Sequence, residues 1–136
     1  MRRLVQWVVA LSGAGYTLTG LSQLFAPRWF FENIGNFPPF NRHYVGDLGA
    51  FILAMGLGLL VAARNPAQHR SLIGVVALGS VLHLLNHLYD DWLSADWSLG
   101  TALTQTLPLA LIAAALASVY CVDDVDASHR RRPDTP

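Results

Sequence analysis

Four long apolar segments follow one another along the chain, and each one is long enough to cross a lipid bilayer as a helix. They cover about residues 4–26, 43–63, 71–89 and 99–121. A helix that crosses about 30 Å of hydrocarbon needs about 20 mostly apolar residues. No segment alternates between apolar and polar residues, and the apolar positions continue around each helix, as expected of helices surrounded by lipid. The pattern predicts an all-α fold, an integral membrane four-helix up-and-down bundle formed by residues 1–122.

The segment between the first two helices mixes aromatic and polar residues, which is unusual for a simple loop. We expect a short interfacial helix over about residues 27–34, with Pro27 in its first turn. Gly35 and the pair Pro38-Pro39 then end it. Two interpretations of this segment remain open. It either anchors the chain at the membrane surface or forms a lid over a ligand pocket.

The composition supports lipid as the surrounding solvent. Hydrophobic residues make up 53% of the chain and charged residues only 13%, whereas soluble domains are about one quarter charged. The net charge is zero and all basic residues are arginine, which excludes a strongly basic surface for nucleic acid and is typical of a GC-rich bacterial genome. The single cysteine, Cys121, excludes an internal disulfide and a cysteine-rich metal motif.

The arginines are unevenly distributed between the two ends of the predicted bundle. One end has Arg2, Arg3, Arg64, Arg70, Arg130, Arg131 and Arg132. The other end has Arg28 and Arg42. Because basic residues concentrate on the cytoplasmic side, we expect both termini to lie in the cytoplasm, with residues 123–136 as a disordered tail. Trp29, Trp92 and Trp97 then form an aromatic belt at the outer interface of a bacterial inner membrane.

Small residues recur in the first three helices and predict close helix packing, which substitutes for the hydrophobic drive that lipid removes. They are Gly13, Gly15, Gly20, Gly46, Gly49, Ala50, Ala54, Gly56, Gly58, Gly74, Gly79 and Ser80. The same glycine-rich faces make a homo-oligomer plausible. Pro108 lies inside the fourth segment, where a membrane helix accommodates proline as a kink.

Ionisable residues inside the second and third helices form the most informative pattern. His43 and Asp47 are four residues apart, as are His83 and His87, so each pair shares one helix face. Counting inward from the outer ends places Asp47 and His83 at the same depth, and we expect a hydrogen bond between them. Several neutral polar residues fall near that level, namely Thr19, Gln23, Asn86, Thr101 and Gln105. Ionisable groups in membranes usually face the bundle interior in pairs.

Four interpretations of this polar layer remain open. His43, Asp47, His83 and His87 together supply a ligand set for a divalent metal such as zinc. Histidine also suits axial ligation of haem or a hydrogen bond to a quinone carbonyl, with Asn86 and Gln105 as further ligand contacts. The third interpretation is a polar clasp between the second and third helices, and the sequence favours it. The fourth is a proton pathway through the layer.

The chain resembles the DoxX-like group of small four-helix bacterial membrane proteins. The resemblance covers residues 4–121 and rests on the strings "GYTLTGLSQLFAPRWFFENIG", "RHYVGDLGAFILAMGLGLLVAAR" and "HLLNHLYD". It implies a four-helix up-and-down bundle, and in the founding DoxX proteins a subunit of a thiosulfate:quinone oxidoreductase. That activity is not carried over, because no catalytic position of this chain can be matched.

Two functions follow as expectations. The first is a small, non-enzymatic membrane protein, such as an accessory subunit of a membrane complex. The alternative is a redox-associated protein that binds a quinone, haem or metal at the layer of histidine and aspartate residues. A transporter is less favoured, since four helices are few for a pathway.

Overall fold

Long helices make up nearly all of the chain that is described. The computed structural model describes residues 2–35, 37–94 and 98–130. The helices are α1 (Arg2–Phe25), α2 (Pro27–Asn33), α3 (Arg42–Ala62), α4 (Arg70–Ser94), the single turn α5 (Leu99–Thr101) and α6 (Leu107–Arg130), with a π-helical turn, π1 (Ala102–Thr106), between α5 and α6. No strand occurs in these three ranges, so the predicted all-α fold is confirmed.

Four of the helices are long and apolar enough to cross a membrane. The spans are Arg2–Phe25, Arg42–Ala62, Arg70–Leu93 and Ala102–Cys121. Large apolar side chains such as Leu11, Phe51 and Val75 lie on their outward faces and remain exposed. A water-soluble domain would bury such side chains, whereas lipid solvates them. The chain is a multi-pass membrane protein.

α4 and α6 are longer than predicted, because each continues into the polar residues that follow its membrane-spanning part. α4 continues beyond Tyr89 to Ser94, and α6 continues to Arg130, although a disordered tail was expected from residue 123. Adding residues to an existing helix costs little compared with starting one, so a helix can extend beyond the lipid. Residues 131–136 and Trp97 lie outside the described residues. The interfacial helix matches its expected position, with Pro27 at its start.

α1 and α3 form a closely packed pair along their whole length. Added methyl groups at Gly20 and Gly56 would overlap the backbone of the partner helix, at Leu53 and Thr17 respectively. These glycines therefore set the distance between the two helices, as predicted for small residues in membranes. Gly15, Gly46 and Gly79 meet nothing within 4 Å, so the prediction that they pack helices together was wrong for contacts within the chain.

α4 and α6 form the second pair, and the core lies where the two pairs meet. Its most buried side chains are Val9, Leu59, Ile73, Val76 and Leu116. One polar contact crosses this core, between Tyr16 Oη and Ser80 Oγ at 2.7 Å. Ser80 donates its own hydrogen to the Val76 carbonyl at 2.7 Å, so Tyr16 is the donor to Ser80. The buried polar clasp of this bundle therefore joins α1 to α4.

Candidate ligand cavity

A cavity of about 260 Å³ lies inside the bundle at the end where α1 meets α2, called here the α2 end. Its walls are mostly apolar and aromatic, with side chains such as Phe31, Phe37, Ile52 and Leu109. The polar lining residues are Thr19, Gln23, Asn41, His83, His87, Thr104 and Gln105. A mainly apolar cavity with a few converging polar groups is typical of a small-molecule site.

α2 and the residues that follow it, including Phe37, cover this cavity and are called here the lid. Phe30, Phe31 and Phe37 line it from above, and Phe37 packs edge-on against the His87 ring with ring centroids 5.6 Å apart. Arg28 pairs with Glu32 at 2.8 Å along the exposed side of α2, and its guanidinium lies 5.2 Å from the centre of the Phe40 ring. The lid interpretation is therefore supported by geometry.

His83 and His87 form a hydrogen-bonded pair on the inner face of α4. Their Nε2 atoms are 3.1 Å apart, and both rings are partly buried against the cavity. A neutral imidazole carries one N–H, so one ring donates through Nε2 and the other must carry its hydrogen on Nδ1. The pair as a whole thus retains one Nδ1 donor and one Nδ1 acceptor. Such a pair can exchange hydrogen bonds with a ligand that both gives and receives them.

Gln23 on α1 is the most deeply buried polar group of the cavity. The residue is 3% exposed, and its Cβ packs over Gly49 of α3, where an added methyl group would lie 2.7 Å away. Its Oε1 atom is buried and accepts no hydrogen bond from any residue in the described ranges. A buried amide oxygen without a donor costs about 1–3 kcal/mol. Gln23 therefore contributes to the cavity wall an amide whose acceptor no described residue uses.

The π-helical turn shapes the wall that α6 contributes. Pro108 follows this turn closely and has no backbone N–H, so it cannot bond the Thr104 carbonyl as a regular helix would require. The sequence predicts a kink at Pro108, and the structure has a π-helical turn just before this residue. Thr104 and Gln105, both in this turn, line the cavity. Wide turns of this kind are frequent at functional sites.

Three of the predicted site residues lie outside the cavity. His43 Nε2 pairs with Asp47 Oδ2 at 3.4 Å on the outward face of α3, where the two side chains are 89% and 60% exposed. Asn86 donates to Asp90 at 3.1 Å on an exposed face of α4. The expected hydrogen bond between Asp47 and His83 is therefore wrong. The cause is rotation about the helix axis, since the cavity face of α3 is formed by Tyr44, Val45, Leu48 and Ile52.

The predicted metal set is not assembled. No group of three or more histidine, cysteine, aspartate or glutamate side chains is placed to hold a metal ion within residues 2–35, 37–94 and 98–130. His83, His87 and Gln105 are the predicted site residues that the cavity brings together. Gln23 was placed in the polar layer but not among the site candidates. The signal that points to Gln23 is the glycine-rich surface of α3, because α1 packs on that surface and Gln23 lies against Gly49 there.

Comparisons with protein-family models, with curated proteins and with solved structures found no match. The resemblance to the DoxX-like group therefore rests on the sequence strings and stays a prediction. The interpretation of the cavity depends on the chemistry of its own residues.

Proposed function

We propose that this protein binds one small amphipathic molecule in the cavity at the α2 end. The apolar part of the molecule packs against the aromatic lid and against Ile52 and Leu109. Its polar end lies among Gln23, His83 and His87. The observation that carries the proposal is the buried Gln23 carbonyl, which no described residue satisfies. A purely structural clasp would satisfy its own polar groups.

The hydrogen-bonding pattern favours a hydroxylated ring, such as a quinol, over a quinone. Gln23 Oε1 requires a donor, which a quinol hydroxyl supplies and a quinone carbonyl does not. The His83–His87 pair supplies either a donor or an acceptor to the same hydroxyl group. Haem is less favoured, because both Nε2 atoms are engaged in the bond between the two rings.

In the cell, the proposed role is that of a non-enzymatic binding or accessory subunit in a bacterial inner membrane. The distribution of arginines supports an orientation with both termini in the cytoplasm. In that orientation the cavity lies in the outer half of the membrane, and Trp29 and Trp92 mark the outer interface. Quinone-type molecules partition into lipid, so the ligand reaches the cavity from the bilayer.

The direct test is equilibrium binding of a short-chain benzoquinol to the purified full chain. Tryptophan fluorescence quenching gives the dissociation constant. Gln23→Leu removes the buried amide with little change of volume, and it is expected to weaken binding at least tenfold, as for a lost hydrogen bond in an apolar site. Asn86→Leu removes an exposed amide outside the cavity and is expected to leave binding unchanged. Equal binding by the parent and Gln23→Leu would overturn the proposal.

A second observation favours self-association. The His43–Asp47 pair faces outward from a span, where charged groups are costly unless they are covered. Gly46, Ala50 and Ala54 lie below it on the same face, at spacings that let another helix approach. We propose that this face of α3 meets the same face of a second copy. A two-fold axis along the membrane normal then places the His43–Asp47 pairs of the two copies at the same depth in one contact.

A further inference from the structure

A shallow groove lies at the opposite end of the bundle, where α1 begins and α3 ends, called here the arginine end. It is lined by Arg3, Gln6, Trp7, Ala10, Ala63 and Arg64, and its volume is about 430 Å³. It is separate from the ligand cavity, since the two share no residue. The two guanidinium groups come from different helix ends, so the fold itself brings them together.

A hydrogen bond fixes the geometry of this groove. Gln6 Nε2 donates to the Arg64 carbonyl at 3.1 Å, which ties the chain after α3 to the first turns of α1. Arg64 is thereby held on the same side of the bundle as Arg3. Ala10 and Ala63 are small and partly or fully buried, and they add apolar surface to the lining of the groove.

The charges of the groove have no carboxylate partner among the described side chains. Among the described side chains, ion pairs join Arg28 to Glu32 and His43 to Asp47, and both of these pairs lie at the α2 end, away from the groove. Guanidinium groups bind phosphate oxygens through paired N–H donors, and Arg3 and Arg64 both line this groove. The electrostatics of the groove therefore select an anion.

The apolar neighbours of the groove indicate that the anion belongs to a lipid. The Trp7 side chain is 63% exposed, and tryptophan favours the boundary between headgroups and acyl chains. Leu11 lies one turn further along α1 on the same side and is also exposed. An acyl chain descending from the groove would pack against Trp7 and Leu11.

We propose that this groove is a binding site for an anionic phospholipid. Its phosphate lies between Arg3 and Arg64, and its glycerol end contacts Trp7. Its chains follow α1 into the membrane. Anionic lipids are concentrated in the cytoplasmic leaflet, which the positive-inside distribution also assigns to this end. The site stands independently of the ligand cavity.

The test uses the full chain reconstituted in nanodiscs of zwitterionic phosphatidylcholine, with a small fraction of brominated phosphatidylglycerol or brominated phosphatidylcholine. Bromine quenches nearby tryptophan, and Trp7→Phe isolates the signal of the groove from that of the other tryptophans. We expect the brominated phosphatidylglycerol to quench the Trp7 signal at least fivefold more effectively per mole than the brominated phosphatidylcholine.

Charge variants separate a site from a diffuse basic field. Arg3→Gln and Arg64→Gln are each expected to reduce the preference for phosphatidylglycerol about fivefold. Arg2→Gln carries the same charge change one residue away, outside the groove, and is expected to retain most of the preference. Melting curves in phosphatidylcholine alone show whether each variant is folded.

Three results would overturn the proposal. The first is equal quenching by the two brominated lipids. The second is a reduction of the preference for phosphatidylglycerol in Arg2→Gln as large as that in Arg64→Gln, which would indicate a general electrostatic attraction. The third is complete displacement of phosphatidylglycerol by millimolar inorganic phosphate, which would make the groove a site for free phosphate.

Discussion

Tyr16 of α1 and Ser80 of α4 are joined by a hydrogen bond of 2.7 Å in the centre of the bundle, where both residues are buried. This bond links the α1–α3 pair to the α4–α6 pair. Interhelical hydrogen bonds in membranes contribute about 0.6 kcal/mol on average and up to about 1.7 kcal/mol. The bond therefore orients the two pairs as well as adding stability.

Removing this bond should lower the stability of the bundle modestly. Tyr16→Phe and Ser80→Ala are each expected to cost about 1 kcal/mol, and the double variant should cost less than the sum of the two. Equilibrium unfolding in mixed detergent micelles measures all three values. Tyr89→Phe changes an exposed tyrosine of α4 and serves as the control. Strict additivity of the two changes would show that the two hydroxyl groups do not interact.

Glycines at the contact between α1 and α3 should not tolerate replacement by alanine, whereas glycines on outward faces should tolerate it. Gly20→Ala and Gly56→Ala place a methyl group against the partner backbone and are expected to destabilise the protein by about 1–3 kcal/mol each. Gly15→Ala and Gly79→Ala add a methyl group that meets nothing within 4 Å and should be neutral or slightly stabilising. The same unfolding assay compares the two sets, and equal effects in both would contradict the close packing of α1 on α3.

The lid makes its own contribution to ligand binding. Phe37→Leu removes the ring that packs on His87 and is expected to weaken quinol binding about three- to tenfold. Trp29→Leu changes an exposed aromatic residue of α2 that does not line the cavity, and binding should be retained. Calorimetric titration determines both dissociation constants, since the second change alters tryptophan fluorescence. Unchanged binding by Phe37→Leu would contradict the lid and leave this segment with surface anchoring alone.

Self-association through α3 can be tested by disulfide formation in membranes. In a Cys121→Ser background, Ala50→Cys places a thiol on the face below His43 and Asp47, and oxidation should yield a covalent dimer. Ala114→Cys places a thiol on an exposed face of α6 and should yield little dimer. Equal dimer yields at the two positions would rule out the α3 face as a specific contact between copies.

The helices and the depth of the polar residues could be predicted from the sequence. Apolar length determined the four spans, and residue counting placed Gln105, His83 and Thr19 near one level, where the cavity indeed lies. The sequence pattern did not predict the rotation of α3 about its own axis, which decides which of its residues face the cavity. His43 and Asp47 share the expected depth but face outward, because Gly49 and Gly56 turn the opposite surface toward α1.

Pairing between helices was also beyond the sequence pattern. Consecutive helices α3 and α4 were expected to share the polar clasp, whereas the closest pairs are α1 with α3 and α4 with α6. In lipid, the choice of neighbour depends on which small-residue surfaces fit together, and periodicity alone does not reveal that fit. The Tyr16–Ser80 bond and the buried Gln23 carbonyl oxygen, which no described residue satisfies, both follow from this pairing.

The central proposal is that Gln23 accepts a hydrogen bond from the ligand, and a comparison of matched ligands tests it most directly. Dissociation constants of a short-chain benzoquinol and of its dimethyl ether are measured for the parent protein and for Gln23→Leu. We predict that the parent prefers the quinol at least tenfold and that Gln23→Leu loses most of this preference. An equal preference for the quinol in both proteins would contradict a role for Gln23 as the acceptor.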